Sequence, residues 1–220
     1  MSIVLTAREG RDKITAFRSP HLILVEGSDD RAVIANLIDH EGLLVDNFHI
    51  HNMIGNRGWP EALKGFIQTD GFENILSLGL VRDADTNPAG TWQSCRDALA
   101  NAGLPVPGAP DQLQNGRPAV AVTLVPSSAG IGALEELCWM SFDSDLCICV
   151  DSYFQCAGNG KAVRKKEQVQ VYLAGLGRPC PNLAIAAERR TLDFSNSAFD
   201  TLRNFVRMLA STAPETVVAG

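Results

Sequence analysis

The sequence predicts an α/β protein, with a mostly parallel four-stranded sheet, helices on both faces and a C-terminal helical extension. Three observations predict it. Short apolar segments of strand length recur four times before residue 126. Stretches with apolar residues at helical spacing separate them. The two kinds alternate, and strands joined through intervening helices form parallel sheets covered on both sides.

The elements follow in order. Leu22-Ile-Leu-Val25 is a short apolar run that stops at Glu26-Gly27, as a buried strand does. Ser28 is placed to cap the next helix, with Asp29 and Asp30 in its favourable first turn. Val33, Ile34, Leu37 and Ile38 then share one helical face. Phe48 and Ile50 alternate with His49 and His51, which predicts a second strand. Gly55-Asn-Arg-Gly58 breaks the chain, and Ala62, Leu63, Phe66 and Ile67 mark a second helix. Ile75–Val81 reads as a third buried strand running straight into Arg82-Asp83-Ala84-Asp85. Thr86-Asn87-Pro88 is a turn signal, and a helix is predicted from about Trp92 to Ala100. Residues 104–118 hold four prolines and two glycines and read as loop. Ala119–Val125 is the fourth strand, stopped by Pro126. Gly130-Ile-Gly132 precedes a helix carrying Glu135, Glu136, Leu137 and Met140.

Beyond residue 141 the pattern changes. The cysteine-bearing stretch 143–156 fits no single period. Lys161, Arg164, Lys165 and Lys166 open a basic segment predicted to be helical, and Phe199, Leu202, Phe205, Val206 and Leu209 define a last amphipathic helix. The predicted organisation is an α/β domain over 18–141, a helical extension over 142–212 and a frayed tail over 213–220.

The start of the chain lacks a charged segment leading into a long apolar run, so a cytoplasmic location without membrane insertion is expected. In that setting the six cysteines are expected to be reduced thiols, since Cys147-x-Cys149 with Cys156 has neither zinc-ligand spacing nor an oxidising compartment. The formal net charge is −6. Proteins that grip nucleic acid unaided carry a basic surplus, so this chain would need a local patch, for which Lys161, Arg164, Lys165 and Lys166 are the nucleic-acid-binding candidates, and self-association or a partner that supplies further basic surface.

Ligands of open parallel sheets sit beyond the carboxyl ends of the strands. Two acidic motifs fall there, Val25-Glu26-Gly27-Ser-Asp29-Asp30 and Val81-Arg82-Asp83-Ala84-Asp85. Hard divalent cations prefer carboxylate oxygens, and phosphoryl chemistry needs a cation to offset developing charge. Asp-x-Asp in extended chain aims two carboxylates at one region. Asp30, one turn into a helix, can join Glu26. Either motif alone is also what a solvated loop or a helix cap looks like; their shared placement is what separates the readings.

The pattern strand-Glu26-Gly27-x-x-Asp30, then strand-Asp83-x-Asp85, resembles the TOPRIM domain over roughly residues 20–140. That domain occurs in topoisomerases, bacterial primases, small RNA-maturation nucleases and the overcoming-lysogenization-defect nucleases. Val25-Glu26-Gly27 with Asp30 is most similar to the nuclease branch. Asp83-Ala-Asp85-Thr-Asn-Pro and Gly132-Ala-Leu-Glu135-Glu136-Leu also resemble a bacterial family of stand-alone TOPRIM-like proteins. The resemblance implies a metal-dependent nuclease of DNA or RNA, in defence or nucleic acid processing. Mg²⁺ or Mn²⁺ would be held by Asp83 and Asp85, with Glu26 as ligand or general base. Asp30, Glu135 and less directly Glu136 would complete a second metal position. It also implies a lysine near the scissile phosphate, for which Lys161, Lys165 and Lys166 are candidates, and a separate ABC-type ATPase partner. With only Tyr153 and Tyr172 and no template-handling domain, the chain departs from topoisomerases and primases.

Other motifs carry less. Gly130-x-Gly132 is half a dinucleotide fingerprint, with Glu135 where the third glycine belongs. His49-x-His51 faces one side of its strand but has no third ligand. Trp59, Trp92 and Trp139 are expected to pack, although Trp59 beside the Gly55–Gly58 loop could stack on a base. The competing function is a regulatory module that binds metal or nucleotide without cutting; a third reading is an interaction subunit whose acids only solvate the sheet edge.

Overall fold

The structure is a computed structural model, and it describes residues 16–53, 58–157 and 163–213. Lys161 and Gly55–Arg57 therefore lie outside the described residues.

Five strands form one sheet: β1 (His21–Val25), β2 (Phe48–Asn52), β3 (Ser77–Asp83), β4 (Leu113–Gln114) and β5 (Ala119–Val125). Their order is β2-β1-β3-β5-β4. β1 pairs in parallel with β2 and β3, and β3 pairs in parallel with β5. The four predicted strands are present. The fifth, β4, is antiparallel on the β5 edge and lies in the stretch expected to be loop. Two residues between proline-rich flanks are too few to show a period of two.

Among the described residues, α1 (Ser28–His40), α2 (Trp59–Ile67), α3 (Pro88–Asn101) and α4 (Leu134–Ser141) follow the expected alternation, and α5 (Ser144–Ala157), α6 (Lys165–Ala174), α7 (Leu183–Glu188) and α8 (Asp200–Ala210) come after the last strand. Two starts differ from the sequence expectation. Gly27 rather than Ser28 occupies the N-cap of α1, and no side chain caps it. The Asn87 turn is itself the start of α3: its side chain accepts from the Gly90 N–H at 3.0 Å, with Pro88 at the first helical position. The cysteine-bearing stretch is α5, held by Val150, the buried residue of that helix.

Strand alternation assigns side chains to two cores. Leu22, Leu24, Leu78, Leu80, Val120, Val122 and Leu124 face a core with α2 and α3. Ile23, Val25, Val81, Ala121 and Val125 face the other, with residues of α1, α4, α7 and α8. Residues of the extension, from Val150 to Leu209, are thus part of the core on that face. Gly79 makes this close packing possible, because a Cβ there would lie 2.5 Å from Leu209 Cδ1 and 2.7 Å from Phe205 Cζ. Ser77, one strand period away, bonds His21 Nδ1 at 2.8 Å and the Leu209 carbonyl at 3.2 Å. No helix among the described residues is long and apolar enough to cross a membrane.

Candidate metal and phosphodiester site

β1 and β3 are neighbours, and both end in acids. Leu24 is level with Leu80 in the register, so Glu26 stands beside Arg82 and Asp83 at the carboxyl edge. A cavity of about 270 Å³ opens there, lined by Glu26, Gly27, Ser28, Asp29, Asp30, Asp83, Leu134, Glu135 and Lys166. Three elements beyond the sheet complete it. The start of α1 brings Asp29 and Asp30, α4 brings Glu135, and α6 brings Lys166.

Each carboxylate is held differently. Glu26 forms a buried ion pair with Arg82 Nε and also accepts from the Asp83 N–H at 3.3 Å. Arg82 is only 5% exposed, and its guanidinium lies 4.6 Å from the Trp59 ring centroid. Trp59 is buried at 2% exposure, so it packs beneath the site and is closed to a base. Asp83 Oδ1 accepts the Leu134 N–H at 3.2 Å, placing its charge at the N-terminus of α4. Asp30 is buried against Gly27, where a Cβ would come within 2.8 Å of its Oδ2. Asp29 Oδ1 accepts from the Ala184 N–H at 3.4 Å. Lys166 Nζ is 3.6 Å from Glu135 Oε1.

Burial and mutual repulsion leave this charge poorly compensated. Burial, then the charges of Asp30, Glu26, Glu135 and Asp85, push the Asp83 carboxyl up to about 8. Burial, then Glu26, Glu135 and Asp29, push Asp30 up to about 7. Asp29 is also raised, chiefly by burial.

Two expected members stand apart. Asp85 is exposed, has φ 49° and does not line the cavity. Its backbone is fixed by paired 2.8 Å hydrogen bonds with Gly132. Gly132 needs to be glycine for this, with φ 127° and the Glu136 Cγ where a Cβ would sit. The Gly130-x-Gly132 motif thus serves a backbone bridge. Glu136 turns back to accept the Ala133 N–H at 2.7 Å and caps its own helix.

The basic segment is divided as well. Arg164 pairs with Glu167. Lys165 Nζ lies 4.4 Å over the Trp139 ring. Of Arg164, Lys165 and Lys166, it is Lys166 that lines the acidic cavity. His49 and His51 stack at 6.2 Å among Phe17 and Phe66. Burial, then the charges of His49 and Arg31, lower His51 to about 4. The pair is aromatic packing on the edge strand. All six cysteines are free thiols.

Sequence reasoning missed Arg82, Asp29 and the link from Lys166 to Glu135. Arg82 carried a signal: a cation amid a buried strand needs an anion beside it.

The carboxylates supply the hard oxygen donors that Mg²⁺ or Mn²⁺ prefers, and their unbalanced buried charge fits a cation. Among the described residues, however, no three His, Cys, Asp or Glu side chains are grouped closely enough to hold an ion. The donor set fits a hard cation by its chemistry, while the side chains as placed do not converge on one point.

Residues 20–211 match a family described as proteins of unknown function, DUF3226. The chain belongs to that family. The match spans the sheet and the helices after it. No curated protein matches the chain in sequence. Among solved structures, an iodine-phased C-terminal region of the Xanthomonas campestris pv. campestris OLD protein is similar, with TM-score 0.51 and 14% identity. That match covers 88% of this chain and 97% of the other. A mercury-phased structure of the same region gives TM-score 0.50 at 14% identity, covering 88% and 98%. The C-terminal region of the Burkholderia pseudomallei OLD protein gives 0.48 at 13% identity, covering 88% and 98%. The Xanthomonas likeness shows that this DUF3226 chain shares the fold of that region.

Proposed function

We propose that this protein is a divalent-metal-dependent nuclease that hydrolyses phosphodiesters of DNA or RNA. One observation carries the reading: Glu26, Asp29, Asp30, Asp83 and Glu135 line a single cavity at the carboxyl edge of a parallel sheet, with Lys166 at its rim. The shared fold with the OLD C-terminal region and the TOPRIM resemblance of the same motifs support it.

In this reading Asp83, Asp30 and Glu135 hold Mg²⁺ or Mn²⁺, with Glu26 fixed beside them by Arg82 as ligand or general base. Asp85 joins only after its loop turns. The cation would offset charge developing on the phosphate oxygens. Lys166, released from Glu135, would meet a nonbridging oxygen of the phosphate. Asp83, at the head of α4, is held in place by the Leu134 N–H. With net charge −6, nucleic acid would be gripped only weakly by the isolated chain, so self-association or a separate ABC-type ATPase would supply basic surface.

The test is cleavage of duplex, single-stranded and RNA substrates with Mg²⁺ or Mn²⁺, with calorimetric titration of metal in parallel. Metal-dependent cleavage and binding, both lost in Asp83→Ala, are expected. A second reading is favoured by the separation of Asp85 and the engagement of Glu26 with Arg82: a regulatory module that binds metal or nucleotide without cutting. Metal binding without cleavage of any substrate would select it; no metal binding would overturn the nuclease and leave only the nucleotide-binding form of the second reading.

A further inference from the structure

A second cleft of about 310 Å³ continues from the acidic cavity, with Ser28, Asp29, Glu135 and Lys166 as walls common to both. Beyond those four the lining changes character. Val169 and Gln170 of α6, with Pro181, Asn182 and Leu183 at the start of α7, complete it. None of these five is charged: they offer two amides and three apolar side chains. Val169 and Leu183 are each 2% exposed, so the floor of the cleft belongs to the core. Asn182 accepts the Ile185 N–H through Oδ1 at 2.9 Å, which fixes its amide and leaves the amide nitrogen to donate. Gln170 is exposed and stands one turn after Lys166, on the same side of α6.

We infer that this cleft takes the nucleoside next to the scissile phosphate, from a strand that is unpaired at that point; the inference rests on the nuclease reading. Charge, chemistry and size each select that occupant. Asp29 and Glu135 repel a second phosphate, so what enters is the neutral part of a nucleotide. Lys166 is common to both clefts. A phosphate oxygen that meets it stands where they join, and the sugar and base carried by that phosphate have the second cleft before them. Asn and Gln amides match the paired donors and acceptors of base edges, and an unstacked base needs apolar walls for its faces. Gln170 and Asn182 supply the first, and Val169, Pro181 and Leu183 the second.

Small-molecule sites span about 300–1,000 Å³, and this cleft is at the small end. It has room for one nucleoside and none for a base pair. A base inside a duplex has its pairing edge and both faces already covered, and must first be extruded at a cost that a single strand does not carry. The substrate class is therefore single-stranded nucleic acid.

The test measures binding apart from cutting. Fluorescein-labelled strands of about 12 nucleotides, made as DNA and as RNA, are titrated with the full chain as single strands and as duplexes. Low salt and Ca²⁺ offset the acids, and anisotropy reports binding. In at least one of the two chemistries the single strand should bind about tenfold more tightly than the duplex. Gln170→Trp fills the cleft from an exposed helical position and should weaken that binding about tenfold, the size expected of one base contact. Gln170→Ala should weaken it about threefold, as the loss of one hydrogen bond does. Neither variant should move the unfolding midpoint. A tenfold excess of adenosine monophosphate should leave the strand bound. No binding of either single strand, equal affinity for strand and duplex in both chemistries, unchanged binding in Gln170→Trp, or displacement by the free nucleotide overturns the inference. Cleavage with Mg²⁺ or Mn²⁺ separates it from the reading beneath it. A chain that binds single strand through this cleft but cuts nothing keeps the subsite and loses the nuclease. One that cuts duplex as fast as single strand, unaffected by Gln170→Trp, keeps the nuclease and loses the subsite.

Discussion

Glu26 and Asp83 end adjacent parallel strands and look alike in sequence, but the structure treats them as opposites. Glu26 has a buried cation, Arg82, committed to it. Asp83 has the N–H of Leu134 and a field of neighbouring acids that pushes its carboxyl up to about 8. One carboxylate is neutralised by the fold, while the other is left in need of a proton or a cation. Identical strand-end placement thus yields one structural acid and one responsive acid. What decides between them is the residue type that strand alternation sends to each side.

The largest effect is expected where the neutralised member is unbalanced. Arg82→Ala would leave Glu26 in a buried setting without its partner and remove the packing against Trp59. Breaking a buried pair from one side costs about 3–5 kcal/mol. Urea unfolding at neutral pH should show a loss of that order, and Glu26→Gln added to Arg82→Ala should recover part of it. An effect below about 1 kcal/mol, the level of a surface pair, would mean that Glu26 and Asp83 are not different after all.

Asp83 should move the other way. Its carboxyl is raised from 3.8 to about 8, so between those values the folded state holds a proton that the unfolded state has released. The stability this provides is complete at low pH and is lost as pH rises through about 8. Asp83→Asn keeps an oxygen for the Leu134 N–H and removes the charge. The apo variant should match the parent near pH 4 and exceed it by about 1–3 kcal/mol above pH 8. If Mg²⁺ or Mn²⁺ binds as proposed and raises the unfolding temperature of the parent, Asp83→Asn should lose that rise. A destabilised variant at high pH would make Asp83 a structural acid like Glu26.

Much of this arrangement was legible in the sequence. Leu22–Val25 and Ile75–Val81 are apolar runs that end in acids, and the alternation of elements sets their ends at one edge, so Glu26, Asp30 and Asp83 were found. The partners were harder to see. Arg82 sits one residue from Asp83, but its direction follows from strand phase, which a shift of one residue reverses. Lys166 reaches Glu135 across 31 positions by the packing of α6, which no local pattern encodes. Arg164, Lys165 and Lys166 look like one basic face because they are adjacent, yet neighbours on a helix point in different directions.

The smallest effect concerns Asp85, and it tests how far the contrast extends along the Asp-x-Asp motif. Two residues apart in an extended strand, Asp83 and Asp85 would face the same way. The chain leaves extended conformation at Asp85, where φ is 49° and the backbone is bridged to Gly132. The carboxylate is exposed and outside the cavity, so it neither suffers burial nor contributes to the fold. Asparagine tolerates the left-handed region as aspartate does. Asp85→Asn should therefore change apo stability by less than about 0.5 kcal/mol at any pH, measured by the same urea titration as Asp83→Asn. If metal binds as proposed, Asp85→Asn should weaken the accompanying rise in unfolding temperature without abolishing it, because Asp85 does not line the cavity. A complete loss equal to that of Asp83→Asn would show that the loop turns readily and that both acids are equal ligands. No change at all would place Asp85 outside the metal site.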